Sequence, residues 1–115
     1  MSPKKFILAL AVLLAITGCG SHVVQITLTN TSTQPIKTIV VDYPGATFGV
    51  NLLEPGKSFP YKIKPLDTGP LKIQFTDAQG AIHSYTGTVL HKNDDGSIDV
   101  KLTQQTALPE AHLVR

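Results

Sequence analysis

The amino-acid sequence predicts an all-β fold for the chain that follows its first 22 residues. Three observations lead to this prediction. Apolar and polar residues alternate with a period of two, which places the apolar side chains on one face of a strand. Turn-forming residues interrupt this alternation about every eight to twelve residues. No segment beyond the N-terminal region has a convincing helical period.

Seven short strands follow from this alternation. Their predicted ranges are 24–29, 36–43, 47–53, 58–64, 71–76, 81–90 and 98–102. Glu54-Pro55-Gly56-Lys57 places Pro and Gly at the central positions of a type II turn, and Asp77-Ala78-Gln79-Gly80 is typical of a hairpin connection. Pro60 cannot donate a hydrogen bond within a sheet, so its strand is expected at a sheet edge. Pro109 divides residues 104–115, which are expected to form a loose tail.

Seven short strands in fewer than 100 residues are typical of an antiparallel two-sheet sandwich of immunoglobulin type. The chain has no tryptophan and a single cysteine, which excludes the Cys–Trp–Cys core of antibody domains. Leu28-Thr29-Asn30-Thr31-Ser32 and Leu53-Glu54-Pro55-Gly56-Lys57 resemble two motifs of bacterial immunoglobulin-like extracellular modules. The resemblance implies one domain over residues 23–103 with an adhesion or spacer role. A transthyretin-like sandwich, as in small lipoproteins of secretion machines, is the alternative topology.

The N-terminal segment has the parts of an export signal. Lys4 and Lys5 precede an unbroken apolar run of eleven residues, 6–16. As a helix this run spans roughly 16 Å, about half of a bilayer core, and is too short for a transmembrane helix. The closing residues Ile16-Thr17-Gly18-Cys19 resemble the lipobox of bacterial lipoproteins. The resemblance implies transfer of diacylglycerol to the Cys19 thiol, cleavage between Gly18 and Cys19, and acylation of the new N-terminus.

The predicted cleavage divides the chain into a signal peptide (1–18), a lipidated tether (19–22) and the domain. The mature chain then has eight basic and eight acidic residues, and its net charge is zero. It contains one arginine and no basic run, which gives no support to a nucleic-acid partner. A single cysteine allows no internal disulfide, so apolar packing must stabilise the domain.

The sequence contains no pattern typical of a catalytic site, and we expect a protein without enzymatic activity or cofactor. The four histidines are scattered, and no G-x-S-x-G motif accompanies them. A hydrolase would need His83 or His91 within hydrogen-bond reach of a carboxylate, with Asp77 and Asp99 as neighbours to consider for His83. Residues 91–102 match only the interior of a calcium-binding EF-hand loop, because His91 and Leu102 occupy the two most important ligand positions. A hairpin turn explains these residues, and no metal site is predicted.

Three aromatic residues are the candidates for contact with a partner. Tyr43 and Phe48 flank a Pro-Gly loop, and Tyr85 belongs to a later strand. Tyrosine is frequent at protein interfaces because it adds contact area at a low entropic cost. If the three rings converged in the fold, they would favour a concave binding site. The alternative is that they are edge residues of the core.

These features predict a non-enzymatic lipoprotein that contacts the membrane through lipid on Cys19 and another envelope protein through its sandwich. Pairing at the edge of a sheet is a mechanism that such a domain can offer. Gly20 stands where Asp would signal retention at the inner membrane, so a host with two membranes implies the outer membrane and a domain in the periplasm. In a host with one membrane the domain would face outside. The alternative function is a binding module for a small ligand, peptide or glycan.

Overall fold

The computed structural model describes residues 22–114, in which it contains eight strands and no helix. The strands are β1 (Val24–Asn30), β2 (Ile36–Tyr43), β3 (Ala46–Leu53), β4 (Ser58–Ile63), β5 (Gly69–Thr76), β6 (Ile82–Leu90), β7 (Asp95–Leu102) and β8 (Ala107–Val114). They form two four-stranded sheets. Sheet A has the order β4-β1-β7-β8, and sheet B has the order β3-β2-β5-β6. The arrangement is a β-sandwich, which confirms the predicted all-β class.

The prediction of seven strands in wholly antiparallel sheets is wrong on two points. First, β1 and β7 pair in parallel, from Val24 opposite Gly96 to Asn30 opposite Leu102. The other pairs are antiparallel. Each short connection reverses the chain, so the odd-numbered strands run in one direction, and two odd-numbered neighbours must be parallel.

Second, the residues expected to be a loose tail form an eighth strand. β8 pairs with β7 along its whole length, from Leu102 opposite Ala107 to Asp95 opposite Val114. Ala107 is buried, and Leu113 packs against the core. Pro109 does not prevent this pairing because β8 lies at the edge of sheet A, where a residue without an N–H group can face outward. Pro60 lies on the opposite edge strand, β4, as the sequence predicts.

The strand order also differs from that of an immunoglobulin constant-type domain. In that domain the first strand pairs with the second, and the second pairs with the fifth. Here β1 pairs with β4 and β7, and β2 pairs with β3 and β5. The first two strands of this chain therefore belong to different sheets.

The alternation read from the sequence places the core between the two sheets. Inward-facing residues of the central strands are at most 1% exposed, and they include Val24, Ile26, Leu28, Leu71, Ile73, Phe75, Ile98, Val100 and Leu102. Their neighbours in sequence point to solvent. Burial of a side chain of this size contributes about 1.5–3 kcal/mol. The core residues supply the main stabilising contribution in a domain that has no disulfide.

The connections between the strands lie at the two ends of the sandwich. The end where β1 begins, here called the N-terminal end, carries the connections 44–45, 64–68 and 91–94. The opposite end carries the connections 31–35, 54–57, 77–81 and 103–106.

Among residues 22–114 the structure contains no candidate for a membrane-spanning helix.

Asn30 organises the opposite end. Its fully buried side chain donates hydrogen bonds to the carbonyl oxygens of Gln34 (2.8 Å) and Leu53 (2.9 Å). Its Oδ1 accepts hydrogen bonds from the backbone N–H and the hydroxyl of Ser32. The Gly56 N–H donates to the Asn30 carbonyl at 2.8 Å. The two motifs singled out in the sequence therefore meet at this corner, where they join the end of β1 to the end of β3.

Candidate interaction surface

The predicted lipidation site, Cys19, and the predicted cleavage position at Gly18 lie outside the described residues. The structure does describe where the chain enters the domain. His22 Nδ1 lies 2.6 Å from Asp95 Oδ2, and the Val23 N–H donates to Asp95 Oδ1 at 3.1 Å. The hydrogen bond with His22, followed by that from Val23, lowers the pKa of the Asp95 carboxyl. Residues 22 and 23 are thus attached to the start of β7.

One of the predicted contact residues, Phe48, belongs to an aromatic cluster, here defined as Phe48, Phe59 and Tyr61. Phe48 of β3 stacks on Tyr61 of β4 with 4.2 Å between the ring centroids, and Phe59 lies 6.4 Å from Phe48. Burial, and then the neighbouring Tyr61, raise the pKa of Tyr43. The cluster joins the edge strand of sheet B to the edge strand of sheet A, and it closes one side of the sandwich.

Phe48 is only 8% exposed, so the structure does not present it as a surface contact residue. The turn between β2 and β3 occupies only Pro44 and Gly45, and Phe48 lies within β3, as the predicted strand 47–53 requires. Phe48, the third residue of edge strand β3, faces the core because it lies directly opposite Val41 of β2, which also faces the core. In the cluster, Tyr61 is 42% exposed and offers a partly accessible ring.

Tyr85 does not join the aromatic cluster. The register places Phe48 opposite Val41, Val41 opposite Ile73, and Ile73 opposite Tyr85. Phe48 and Tyr85 therefore occupy opposite edges of sheet B, three strand spacings or about 14 Å apart. Tyr85 is half-buried and packs against the core. The three aromatic residues do not converge, and they do not form the concave site considered from the sequence.

His83 and Asp77 form the pair that the hydrolase hypothesis requires. His83 Nε2 lies 2.7 Å from Asp77 Oδ2. Asp77 Oδ1 accepts the N–H groups of Gln79 and Ala81, both at 2.9 Å. These bonds, the one with His83 foremost, lower the pKa of the Asp77 carboxyl. Asp99 lies in β7 of sheet A and takes no part.

The surroundings of this pair explain it as a hairpin cap. Three groups of the β5–β6 connection bind one carboxylate, and the His83 ring stacks on Phe75 at 5.2 Å. Among the hydrogen bonds of residues 22–114, no Ser, Thr or Cys side chain reaches His83. The pair therefore orders the turn before β6.

The remaining histidines also lie near carboxylates. His112 Nε2 is 3.1 Å from Glu110 Oε1, and His91 Nδ1 is 3.9 Å from Asp94 Oδ2. Each pair is local, and the pairs are not gathered at one place. Within residues 22–114 no group of three or more His, Cys, Asp or Glu side chains is arranged to hold a metal ion.

A shallow groove lies at the N-terminal end of sheet B. Its volume is about 330 Å³, and its lining includes Tyr43, Pro44, Asp67, Gly69 and Lys72. The groove combines one aromatic residue with side chains of both charges. It is one of several grooves on the described residues, and a larger one of about 530 Å³ lies on sheet A beside Leu108 and Glu110.

The edges of the two sheets differ in the residues that protect them. In sheet A, β4 contains Pro60 and Lys62, and β8 contains Pro109 and Glu110. Proline and charged side chains on an edge strand hinder pairing with a further strand. In sheet B, neither β3 (ATFGVNLL) nor β6 (IHSYTGTVL) contains Pro, Lys, Arg, Asp or Glu.

The two unprotected edges differ in turn. β3 is connected to sheet A by the aromatic cluster and by the Asn30 corner. β6 lies beside β8, and no stacked aromatic pair in the described residues joins these two strands. A bulge interrupts β6 only near its end, where Thr88 has a φ of 40° and the register shifts. Residues 82–87 form a regular edge without Lys, Arg, Asp or Glu.

Sequence reasoning missed several of these features. Phe59 and Tyr61 alternate with Pro60 and Lys62, and this alternation indicates that both rings face the core. Which residues they meet depends on the strand order. The sequence also shows that β6 has no Lys, Arg, Asp or Glu. This composition is informative only when β6 is known to be an edge strand.

The comparisons with known proteins support the fold and assign no family. No family model matches the chain. The mitochondrial ATP synthase subunit delta of Trypanosoma brucei brucei is 30% identical over 80 residues, which make up 70% of this chain and 41% of that protein. The chain thus spans less than half the length of this curated relative.

A solved structure is also similar. The NMR structure of a protein from Eubacterium rectale superimposes with a TM-score of 0.56 at 20% sequence identity. The match covers 73% of this chain and 82% of that one. At this identity the similarity concerns the fold alone.

Proposed function

We propose that this protein is a non-enzymatic, lipid-anchored envelope protein whose sandwich binds another envelope protein along strand β6. The anchor in this proposal is the lipobox cysteine, Cys19. The binding mode is β-augmentation, in which an extended segment of the partner adds a strand to sheet B.

The observation that carries the binding mode is the contrast between the sheet edges. Both edge strands of sheet A contain a proline and a charged residue, and neither edge strand of sheet B contains any. An unprotected edge exposes unpaired backbone N–H and C=O groups and is a liability for a protein on its own. A binding partner at that edge would explain why sheet B has no proline or charged residue on its edge strands.

Of the two unprotected edges, β6 suits a partner better. The partner must approach in the plane of the sheet. Stacked rings join β3 to β4, whereas β6, which lies beside β8, has no such stacked pair in the described residues. β6 offers six regular residues, 82–87, before its bulge. The Asp77–His83 cap fixes the start of this strand and thereby holds the edge in an extended conformation.

The strand order favours the transthyretin-like alternative over the immunoglobulin type. We infer this from two four-stranded sheets in which β1 lies between β4 and β7 and β2 lies between β3 and β5. This topology is the alternative considered from the sequence, as in small lipoproteins of secretion machines. This class of fold agrees with a role in an envelope assembly.

The similarity to the ATP synthase subunit also supports an interaction role. That protein is by its name a subunit of a larger enzyme, and the matched 80 residues are a part of it. We propose no synthase activity for this chain. The shared segment is consistent with a domain that contacts other proteins.

A second candidate function is a binding module for a small ligand, peptide or glycan. The groove of about 330 Å³ at the N-terminal end is the observation that favours it. Its aromatic residue, Tyr43, would stack on a sugar or an apolar group. Substitution Tyr43→Ala would then abolish ligand binding and leave partner binding at β6 unchanged.

The anchor is tested by metabolic labelling with an alkyne fatty acid and fractionation of the membranes. We expect label on the wild-type protein in a membrane fraction, the outer membrane where the host has two, and no label on Cys19→Ser. Label on neither protein, with the wild type in the soluble fraction, would remove the anchor from the proposal. A diffusible binding protein would then be the better account.

A further inference from the structure

We infer that the N-terminal end of the sandwich rests against the lipid surface, with Leu66 in contact with the bilayer. This inference rests on the proposed lipid anchor at Cys19. It adds the orientation of the domain and the residues that touch the membrane.

The covalent distance to the anchor is the first argument. His22 and Val23 are held to Asp95 at the start of β7, so the chain is fixed to the domain from residue 22 onward. Cys19 is three residues before His22. At 3.3–3.6 Å per extended residue, three residues reach about 10–11 Å. A lipid on Cys19 therefore keeps this end of the domain within about 11 Å of the acylated residue.

The exposed apolar side chains are the second argument. Leu66, in the connection between β4 and β5, is 64% exposed, and Val114 at the end of β8 is 68% exposed. Both lie at the N-terminal end, because Asp95 at the start of β7 pairs with Val114 and the β4–β5 connection follows Ile63, the partner of Val24. Two of the three most exposed large apolar residues in the described chain thus face the side of the anchor.

The Leu66 side chain is also held in place. The Leu66 N–H donates to the Pro44 carbonyl at 3.0 Å. Gly45 has a φ of 110°, and a Cβ atom at that position would come within 2.8 Å of the Leu66 side chain. The neighbouring turn therefore needs a glycine so that Leu66 can lie over it. This contact presents an apolar side chain in a fixed orientation.

Charges of both signs surround Leu66. Lys64, Lys72 and Lys92 are exposed at this end, as are the carboxylates Asp42 and Asp67, and Asp95 is paired with His22. Lysine can place its hydrocarbon stem along an apolar surface while its ammonium group meets the headgroups. The occupant that fits an apolar tip, flanking lysines and a nearby acyl anchor is a phospholipid bilayer.

The test uses the full-length protein purified from membranes of its host and reconstituted in vesicles of phosphatidylethanolamine and phosphatidylglycerol. Leu66→Cys and Ile82→Cys are each labelled with an environment-sensitive fluorophore. Ile82 is the matched control, since it is also 64% exposed but lies at the opposite end. The acylated Cys19 thiol does not react with the label. Circular dichroism melting curves verify that both variants fold.

The measurement is fluorescence quenching by nitroxide-labelled lipids in the same vesicles. We expect the label at position 66 to be quenched several-fold more than the label at position 82. Equal quenching on vesicles that carry the protein by flotation would leave the anchor intact and overturn the orientation. Protection of position 66 from water without quenching by lipid would assign this end to a protein partner and would also overturn it.

Failure of the anchor gives a different result. The protein would then not float with vesicles, and the wild type would itself react with the fluorophore at Cys19. That outcome overturns the proposed anchor and, with it, the inferred membrane contact.

Discussion

The two sheets of the sandwich protect their edges differently. Sheet A has a proline and a charged residue on each edge strand, Pro60 with Lys62 on β4 and Pro109 with Glu110 on β8. Sheet B has neither kind of residue on β3 or β6. Both sheets contribute buried residues to one core. The proposal that a partner pairs with β6 accounts for the difference between their edges.

Within sheet B the same comparison separates an edge that is joined to sheet A by stacked rings from an edge that is not. β3 is joined to sheet A by stacked rings at 4.2 Å and by the buried Asn30 side chain. β6 pairs with β5, lies beside β8 and is capped at its start. We propose the interaction surface at this edge because it lacks both kinds of restraint that β3 has.

The largest expected effect comes from breaking the aromatic connection of β3. Phe48→Ala removes a ring that is 8% exposed and stacks on Tyr61. We expect the free energy of unfolding to fall by about 3–5 kcal/mol. Urea denaturation followed by circular dichroism measures this change.

Leu52→Ala on the same strand is the control for Phe48→Ala. Leu52 is 48% exposed, so its removal should change the free energy of unfolding by no more than about 0.5 kcal/mol. Equal losses in the two variants would show that the aromatic cluster does not hold β3.

The second effect concerns the Asn30 corner. Asn30→Ala leaves the buried carbonyl of Leu53 and the groups of Ser32 without their partner. We expect a loss of about 2–4 kcal/mol in the free energy of unfolding, because each buried polar group left unpaired costs about 1–3 kcal/mol. Asn51→Ala, an exposed asparagine of β3, makes the same chemical change and should be nearly neutral. A small loss in Asn30→Ala would contradict the role of this corner.

The smallest effect is the acid sensitivity of the cap on β6. The pKa of Asp77 is lowered, chiefly by the hydrogen bond with His83. A carboxyl group whose folded pKa is lowered stabilises the fold above its unfolded pKa of about 3.9, and this contribution is lost as the pH falls through the folded value. Stability should therefore fall below about pH 4, and Asp77→Asn should fall less steeply.

Thermal melts at about pH 5 and about pH 3 measure this difference in slope. Asp67→Asn serves as the control, since Asp67 is an exposed carboxyl group in a loop. If Asp77→Asn and Asp67→Asn lose stability in parallel with the wild type between these pH values, the cap does not contribute to acid sensitivity.

The sequence predicts the strands well because successive side chains of a half-buried strand face the core and the solvent in turn. This alternation appears in the sequence as a period of two. Val24, Ile26 and Leu28 show this in β1, and Leu71, Ile73 and Phe75 are expected in β5 on the same ground. β8 escapes prediction because Pro109 interrupts the pattern and only Ala107 in this strand is fully buried. A short edge strand with one buried residue leaves little signal.

The candidate surface is less predictable than the strands. Tyr43, Phe48 and Tyr85 are all aromatic and near turns or edges, but their separation depends on the strand order of sheet B. Strand order is decided by contacts between residues far apart in the sequence, such as Val24 with Ile63 and Gly96. A local period cannot supply this information. The edge position of β4 is predictable from the sequence because Pro60 has no N–H group to donate within a sheet.

The central claim is tested most directly by photo-crosslinking in living cells that make the full-length protein. A photoreactive residue replaces Ser84 or Thr86 in β6 and, as controls, Lys62 in β4 or Leu108 in β8. All four positions are exposed on edge strands. We expect a discrete crosslinked protein from the β6 positions and none from the controls. Crosslinks from β4 or β8, with none from β6, would contradict the account.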